Sequence, residues 1–370
     1  MVLYAFGSNG AGQLGLQHKD DCSTPQEVIL PSDALSSTTV IKSIAGGGSH
    51  TLLLLDNGVC FVAGSNAQGQ APCPETTVPS EAENEIGNGF RPISPNLNFK
   101  ACAALWEASI LVTVDDKVFV IGNGPKGELG LGPNFTYAST LQRIEGFPPT
   151  GTEIKRIASG VAHTVVLLSN GDAWGWGNGR KGQLGEPTEI VNSPRRINIP
   201  RCDADTAEVA CGREFSYFAS IDVPERHIVL GSDKWNVVTE APKTLRPITP
   251  TPRKDIIRSV GACWSSVVVL LNRGDVEAWG RSDKGQLPLA KQSPLIEKIA
   301  AGSEHCIGLT ADQEVVCCGW GEHGNCGSET DEDGNVVGWV KIPFEVPMGS
   351  ELVGVGAGCA TSFFWTHRQV

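Results

Sequence analysis

Three histidines and one short Cys/His cluster are the residues whose types and spacing could do chemistry in this chain. His50, His163 and His305 recur after glycine turns, and three imidazoles are enough to start a metal site. Metal ligation also needs converging ligands and supporting outer contacts. These three instead occupy equivalent places in three repeat units, where the other four units carry Glu107, Phe215, Ser265 and Ala360, so no ring of ligands is being built. Each histidine opens a strand after a glycine turn, where an imidazole can satisfy turn backbone groups. Cys317, Cys318, His323 and Cys326 form Cys-x4-His-x2-Cys, which has zinc-ligand types at short spacing. Cys318, however, stands where other copies have Phe or Trp, and Cys326 where they have Leu. The expectation is buried structural cysteines beside an exposed His323. The Gly-x-Gly strings do not open helices, as phosphate cradling at a helix N-terminus requires, and read as turns. There is no G-x-S-x-G elbow, no H-E-x-x-H and no recognisable paired-carboxylate motif. No activity and no cofactor of its own are expected.

Binding chemistry is better represented. Trp106, Trp235 and Trp264 fall near inter-strand turns at irregular positions of the repeat, whereas Trp174, Trp176 and Trp279 sit in strands and are expected in the core. Tryptophan at loop ends is a candidate interface anchor, with packing between repeats as the alternative. Trp106, Trp264, Glu322 and His323 are expected to contact a partner, and Arg213 and Glu214 of the fourth unit are further candidates.

The elements that must position these residues come from a repeat. Tyr4 to Gly15 (YAFGSNGAGQLG) recurs at Phe119 to Gly130 and Trp174 to Gly185, and in weaker form at Ala278 to Leu287, Cys317 to Gly327, Val62 to Gln70 and Ile228 to Asn236. The first glycines, Gly7, Gly64, Gly122, Gly177, Gly231, Gly280 and Gly319, are 39 to 58 residues apart. Each copy is paired with a second signature, fullest at Ile41 to Gly58, which reads as two short strands about a glycine turn. Seven such units, with no useful helical periodicity, predict an all-β, seven-bladed β-propeller with four strands per blade. Leu3 to Phe6 begins inside one unit and Gly356 to Trp365 ends with the other half, so the N- and C-terminal strands are expected to share a closing blade and remove two sheet edges. The 370 residues are expected to form this one domain, with long surface loops at 71–98 and 328–350, both carrying acidic runs.

A formal charge of −12 disfavours a surface built to neutralise nucleic-acid phosphates. No apolar run approaches the length of a membrane span. The opening has no charged leader followed by a long apolar run, so the 12 cysteines are expected to be reduced, in the cytoplasm, with the nucleus as a second compartment.

The strings YAFGSNGAGQLGL, IAGGGSHTLLLLDNG and WGWGNGRKGQLG resemble the regulator-of-chromosome-condensation repeat, along essentially the whole chain. Gly302-Ser-Glu-His305, Gly319 to Gly327 (GWGEHGNCG) and Gly358-Cys-Ala-Thr361 are similar to its fungal killer-toxin-insensitivity branch, also known for alpha-tubulin suppression. That resemblance implies a non-catalytic protein paired one-to-one with the small CSL zinc-finger protein of diphthamide biosynthesis, whose iron or zinc is held by four cysteines. Through that partner it implies support of diphthamide formation on elongation factor two and, indirectly through Elongator, of wobble-uridine modification of transfer RNA. The wider family also implies two alternatives: guanine-nucleotide exchange on a small GTPase, or chromatin- or microtubule-associated scaffolding. The inserted β-wedge of such exchange factors and the basic tails of chromatin binders are not evident.

Overall fold

A computed structural model describes residues 1–31, 38–72, 89–94, 96–201, 203–220, 227–241, 257–288 and 293–368. Its strands fall into seven antiparallel sheets. Blade 1 comprises Ile41–Gly46, His50–Leu55, Cys60–Gly64 and Arg91–Pro92. Blade 2 comprises Phe99–Ala104, Ala108–Thr113, Val118–Asn123 and Tyr137–Arg143. Blade 3 comprises Ile154–Ser159, His163–Leu168, Ala173–Asn178 and Ile190–Ile197. In blades 4 and 5 the described residues supply three strands each: Ala207–Cys211, Phe215–Ser220 and His227–Gly231, then Ile257–Ala262, Ser266–Leu271 and Val276–Gly280. Blade 6 comprises Ile296–Ala301, His305–Thr310, Val315–Trp320 and Asn335–Lys341.

Blade 7 is shared between the chain ends. Ser350–Gly358 and Thr361–Arg368 form its inner half, Val2–Gly7 and Cys22–Val28 its outer half. The join runs unbroken from Val2 opposite Thr366 to Gly7 opposite Thr361, so the expected closure is present and both edges are paired. Ser350–Gly358 contacts the first strands of blades 6 and 1, which closes the ring.

The burial pattern explains why the strands differ in composition. Second strands such as His50–Leu55 and Ala108–Thr113 are buried at every position, since blades pack on both faces of the sheet. Fourth strands lie at the rim and mix in exposed polar residues, as in Tyr137–Arg143. First strands line the central channel with small side chains, including Ala45, Gly46, Ala103, Ala158 and Ala301. Trp176 and Trp279 are buried, and each indole N–H reaches the carbonyl of a preceding blade's Gly-rich turn, at Glu128 and Val237 (2.9 and 2.8 Å). Trp174 is half-buried. No helix among the described residues is long and apolar enough to cross a membrane.

Two loop expectations change. The segment 328–350 contains the fourth strand of blade 6, Asn335–Lys341, paired with Val315–Trp320. Its acidic run forms a tight turn: the Asp331 carboxylate accepts from the Asp333 and Asn335 amides, and Gly334 takes a φ of 75°. In 71–98, Arg91–Pro92 pairs with Phe61 and Val62, while 73–88 and 95 lie outside the described residues.

The histidines hold blades together, with partners other than the expected turn backbone. His50, His163 and His305 place Nε2 at 2.9, 2.9 and 3.0 Å from Oγ of Ser109, Ser216 and Ser362, each on the following blade. Each serine hydroxyl donates to the carbonyl of Gln70, Gln183 or Asn325 in the Gly-rich turn of the histidine's own blade. A hydroxyl has one proton, so it must accept from Nε2–H, and with no partner at the buried Nδ1 to take a second proton's hydrogen bond the imidazole is neutral. Nδ1 of all three is buried without a partner. Register also corrects the equivalent positions. Ala108, Ser266 and Thr361 sit opposite the repeat glycines as His50 does, so Glu107, Ser265 and Ala360 are one residue early; Phe215 is as expected.

Burial lowers the pKa of all three histidines to about 4. At these three sites the unfolded chain therefore binds more protons than the folded one between pH 6.5 and 4, and the histidines' contribution to stability falls as pH falls through that window. The loss is up to about 3 kcal/mol per histidine, read as a decline in thermal midpoint from pH 7 to pH 4. A His305→Gln variant is expected to show a shallower decline; an unchanged slope would remove His305 from this account.

Candidate partner-binding face

Turns between first and second strands and the Gly-rich turns that follow third strands lie on one face, because they are bonded to each other in every blade. The residue after each repeat glycine donates its amide to the carbonyl of the first-to-second turn: Ser8 to Ala360, Ser65 to Ser49, Asn123 to Glu107, Asn178 to Ala162, Ser232 to Glu214, Arg281 to Ser265 and Trp320 to Glu304, all at 2.7–2.9 Å. The first-to-second turns are also linked around the channel mouth. Gly48 donates to Trp106, Trp106 to Val161, Arg213 to Trp264, Trp264 to Ser303 and Ser303 to Gly358 (2.8–3.1 Å). Side chains at these turns are therefore carried on a rigid backbone collar.

On that collar Trp106 of blade 2 and Trp264 of blade 5 meet across the channel mouth, their rings 5.7 Å apart and tilted by 55°. Both line the channel, a cavity of about 350 Å³. Trp106 remains 42% exposed, so the pair presents an aromatic surface outward instead of burying itself in the core. The Arg213 guanidinium lies 5.8 Å from the Trp264 ring, a cation–π contact, and Glu214 follows it on the same turn. Four of the six expected contact residues are thus gathered by the fold.

Glu322 and His323 lie on the Gly-rich turn of blade 6, on the same face. Glu322 is exposed; His323 is half exposed and places Nδ1 3.0 Å from an Asp21 carboxylate oxygen, bridging blade 6 to blade 7. They do not join the tryptophan pair directly. Trp320 connects the regions: its ring is 5.4 Å from that of His323, and it lines a cavity shared with Trp264.

That cavity, about 520 Å³ between the turns of blades 4, 5 and 6, contains what sequence reading left out. Arg281 donates to both carboxylate oxygens of Asp283 (2.5 and 2.9 Å) and to Glu304 (3.0 Å), and Gln286 donates to the other Glu304 oxygen (2.6 Å). Burial raises the Glu304 carboxyl above its usual range, while the Arg281 hydrogen bond lowers that of Asp283. Trp235 is 41% exposed beneath two cations, Lys234 at 5.5 Å and Arg281 at 5.2 Å. Its type marked it in the sequence; its position relative to Arg281, on another blade, did not.

The Cys/His cluster is divided by the sheet. Cys317 and Cys318 are adjacent in one strand and point to opposite faces, Cys317 into a cluster with Cys326, Cys318 into one with Cys263 and Cys306. Burial raises the thiols of Cys317, Cys318 and Cys326, against the thiolate form that zinc requires. Among the described residues no three His, Cys, Asp or Glu side chains converge for a metal.

Fold and face together define a closed repeat propeller whose distinguishing side chains are arranged on one collar. The chain belongs to the RCC1-like domain family, whose model matches residues 2–364. It is 31% identical to an RCC1 repeat-containing protein of Schizosaccharomyces pombe, over 98% of each chain. It is 27% identical to the secretion-regulating guanine nucleotide exchange factor of Mus musculus, over 98% of this chain and 82% of that protein. In fold it is similar to Prp20p of Saccharomyces cerevisiae, whose crystal structure was described with its binding to Gsp1p and histones: TM-score 0.79, 20% identity, 100% of this chain and 92% of that one.

The Trp106–Trp264 contact is measurable in isolation. A double-mutant cycle with Trp106→Ala and Trp264→Ala, followed by urea unfolding, is expected to return a coupling of about 0.5–1.5 kcal/mol. A value indistinguishable from zero would mean the rings do not touch in solution.

Proposed function

We propose that this propeller is a non-catalytic binding partner and regulator of the small CSL zinc-finger protein of diphthamide biosynthesis. In this reading the two form a one-to-one heterodimer in the cytoplasm and the nucleus. The propeller buries part of the partner's surface, stabilises it and controls access to the iron or zinc that the partner carries. Through the partner it supports diphthamide synthesis on elongation factor two and Elongator-dependent modification of the wobble uridine of transfer RNA.

One observation carries the binding part: two tryptophans from distant blades meet on a hydrogen-bonded collar and stay partly open to solvent. Rigid exposed aromatics lose little entropy on docking and dominate interface energies. The identity of the partner is supported by the resemblance of the segments at 302–305, 319–327 and 358–361 to the killer-toxin-insensitivity branch. A second reading, guanine-nucleotide exchange on a small GTPase, is favoured by the relative in Mus musculus that bears that name.

The test is a titration of the purified chain with the CSL protein, by calorimetry. Trp106→Ala with Trp264→Ala is expected to cost roughly 2–4 kcal/mol of binding, at least about 30-fold in Kd. Glu322→Ala with His323→Ala is expected to cost less, since both are rim residues. No detectable binding, together with accelerated nucleotide release from a small GTPase, would exchange the first reading for the second.

A further inference from the structure

The cavity between blades 4, 5 and 6 differs from the rest of this acidic molecule. Its lining includes four cationic side chains, Arg213, Lys234, Arg281 and Lys284, and three indoles, Trp235, Trp264 and Trp320, against the carboxylates of Glu214 and Glu304. Even with Asp283, which is paired to Arg281, cations outnumber carboxylates here, on a chain of net charge −12. Arg281 is engaged by Asp283 and Glu304, so the charges that face the cavity most freely are Arg213, Lys234 and Lys284, although Asp331 senses Lys284.

Trp235 shows that the site is built at a cost. The fifth residue after the repeat glycine is Gly12, Gly69, Gly127, Gly182, Gly285 or Gly324 in six blades, each with φ of 77–85°; in blade 4 it is Asn236 at 58°. The residue before it also turns left-handed only in blade 4, and that residue is Trp235, at 75°. A bulky residue at positive φ is a strained outlier, and such outliers cluster at functional positions. Here the strained backbone holds an indole partly open to solvent, under Lys234 and Arg281.

We infer that this cavity binds an acidic peptide segment of a protein partner, with an aromatic or large apolar side chain seated among the three indoles and flanking carboxylates on Arg213, Lys234 and Lys284. Its volume of about 520 Å³ suits one large side chain with its neighbours. A nucleic acid would need cations tracking several phosphates along a groove, and the positive charge here is confined to one cavity. The inference deepens the proposed partner face and rests on that reading in placing a protein partner there.

The experiment is a fluorescence-anisotropy titration of the full chain with three labelled probes. They are a decapeptide of Asp and Glu around a central Phe, its Asn/Gln twin, and an oligouridine. The acidic peptide is expected to bind in the range of about 10–100 µM, more weakly as salt rises from about 50 to about 300 mM. Trp235→Gly keeps the left-handed backbone comfortable and removes only the indole; it and Lys284→Glu are each expected to weaken binding by roughly tenfold. Lys181→Glu makes the same charge change at the equivalent turn position of blade 3 and is expected to leave binding unchanged. The inference is overturned if the acidic peptide does not bind, if the neutral twin binds equally, if oligouridine binds more tightly, or if Lys284→Glu does no more than Lys181→Glu. The CSL titration separates the two readings. Peptide capture without CSL binding supports the cavity and sinks that partner, whereas CSL binding undiminished in Trp235→Gly and Lys284→Glu keeps the partner and overturns the cavity.

Discussion

The molecule depends on one close approach made seven times. At the end of each third strand a glycine with φ between 101° and 124° lets the carbonyl of the first-to-second turn come within 2.3–2.5 Å of where a β-carbon would stand. Any side chain there meets backbone, which has no rotamer by which to move away, and the φ itself is one that other residues rarely adopt. That approach allows the next residue's amide to reach the same carbonyl, joining the two turns of each blade. The face, its collar and the side chains it carries follow from this contact.

Neighbouring blades are held by different means at different joints. At three joints a neutral imidazole spans to a serine hydroxyl that is itself bonded back across the joint, and at two an indole N–H reaches the preceding blade's turn. Elsewhere the corresponding positions are small or apolar; at the joint of blades 4 and 5, Phe215 and Val267 stand there, and packing is joined by the Trp279 N–H and the Arg213 amide. At blade 7 backbone pairing of the two chain ends completes the ring, so closure requires both ends of the chain.

A collar fixed by backbone hydrogen bonds leaves its side chains free to vary without disturbing the fold. One ring of equivalent turn positions carries Gly48, Trp106, Val161, Arg213, Trp264, Ser303 and Cys359. Blades 2 and 5 place tryptophan there, and blade 4 places an arginine against one of them. The strained Trp235 and the ion-paired Arg281 add a second, more polar surface beside the aromatic one. Rigid support for exposed aromatics is what a binding surface needs if little freedom is to be lost on docking.

The number of blades, the shared closing blade and the turn glycines were determined by the sequence alone, because glycine spacing and short apolar strands are local signals repeated seven times. The acidic run at 331–333 misled for a local reason as well: carboxylates that suggest a solvated loop also cap tight turns, and here Asp331 does so. Only the tertiary structure decided which residues meet. The histidines find serines 53 to 59 positions later, Trp106 reaches Trp264 from three blades away, and Arg281 covers Trp235 from a different blade. These contacts are set by the curvature and closure of the ring, which brings distant turns to one mouth, and no spacing within a single repeat encodes where that mouth will be.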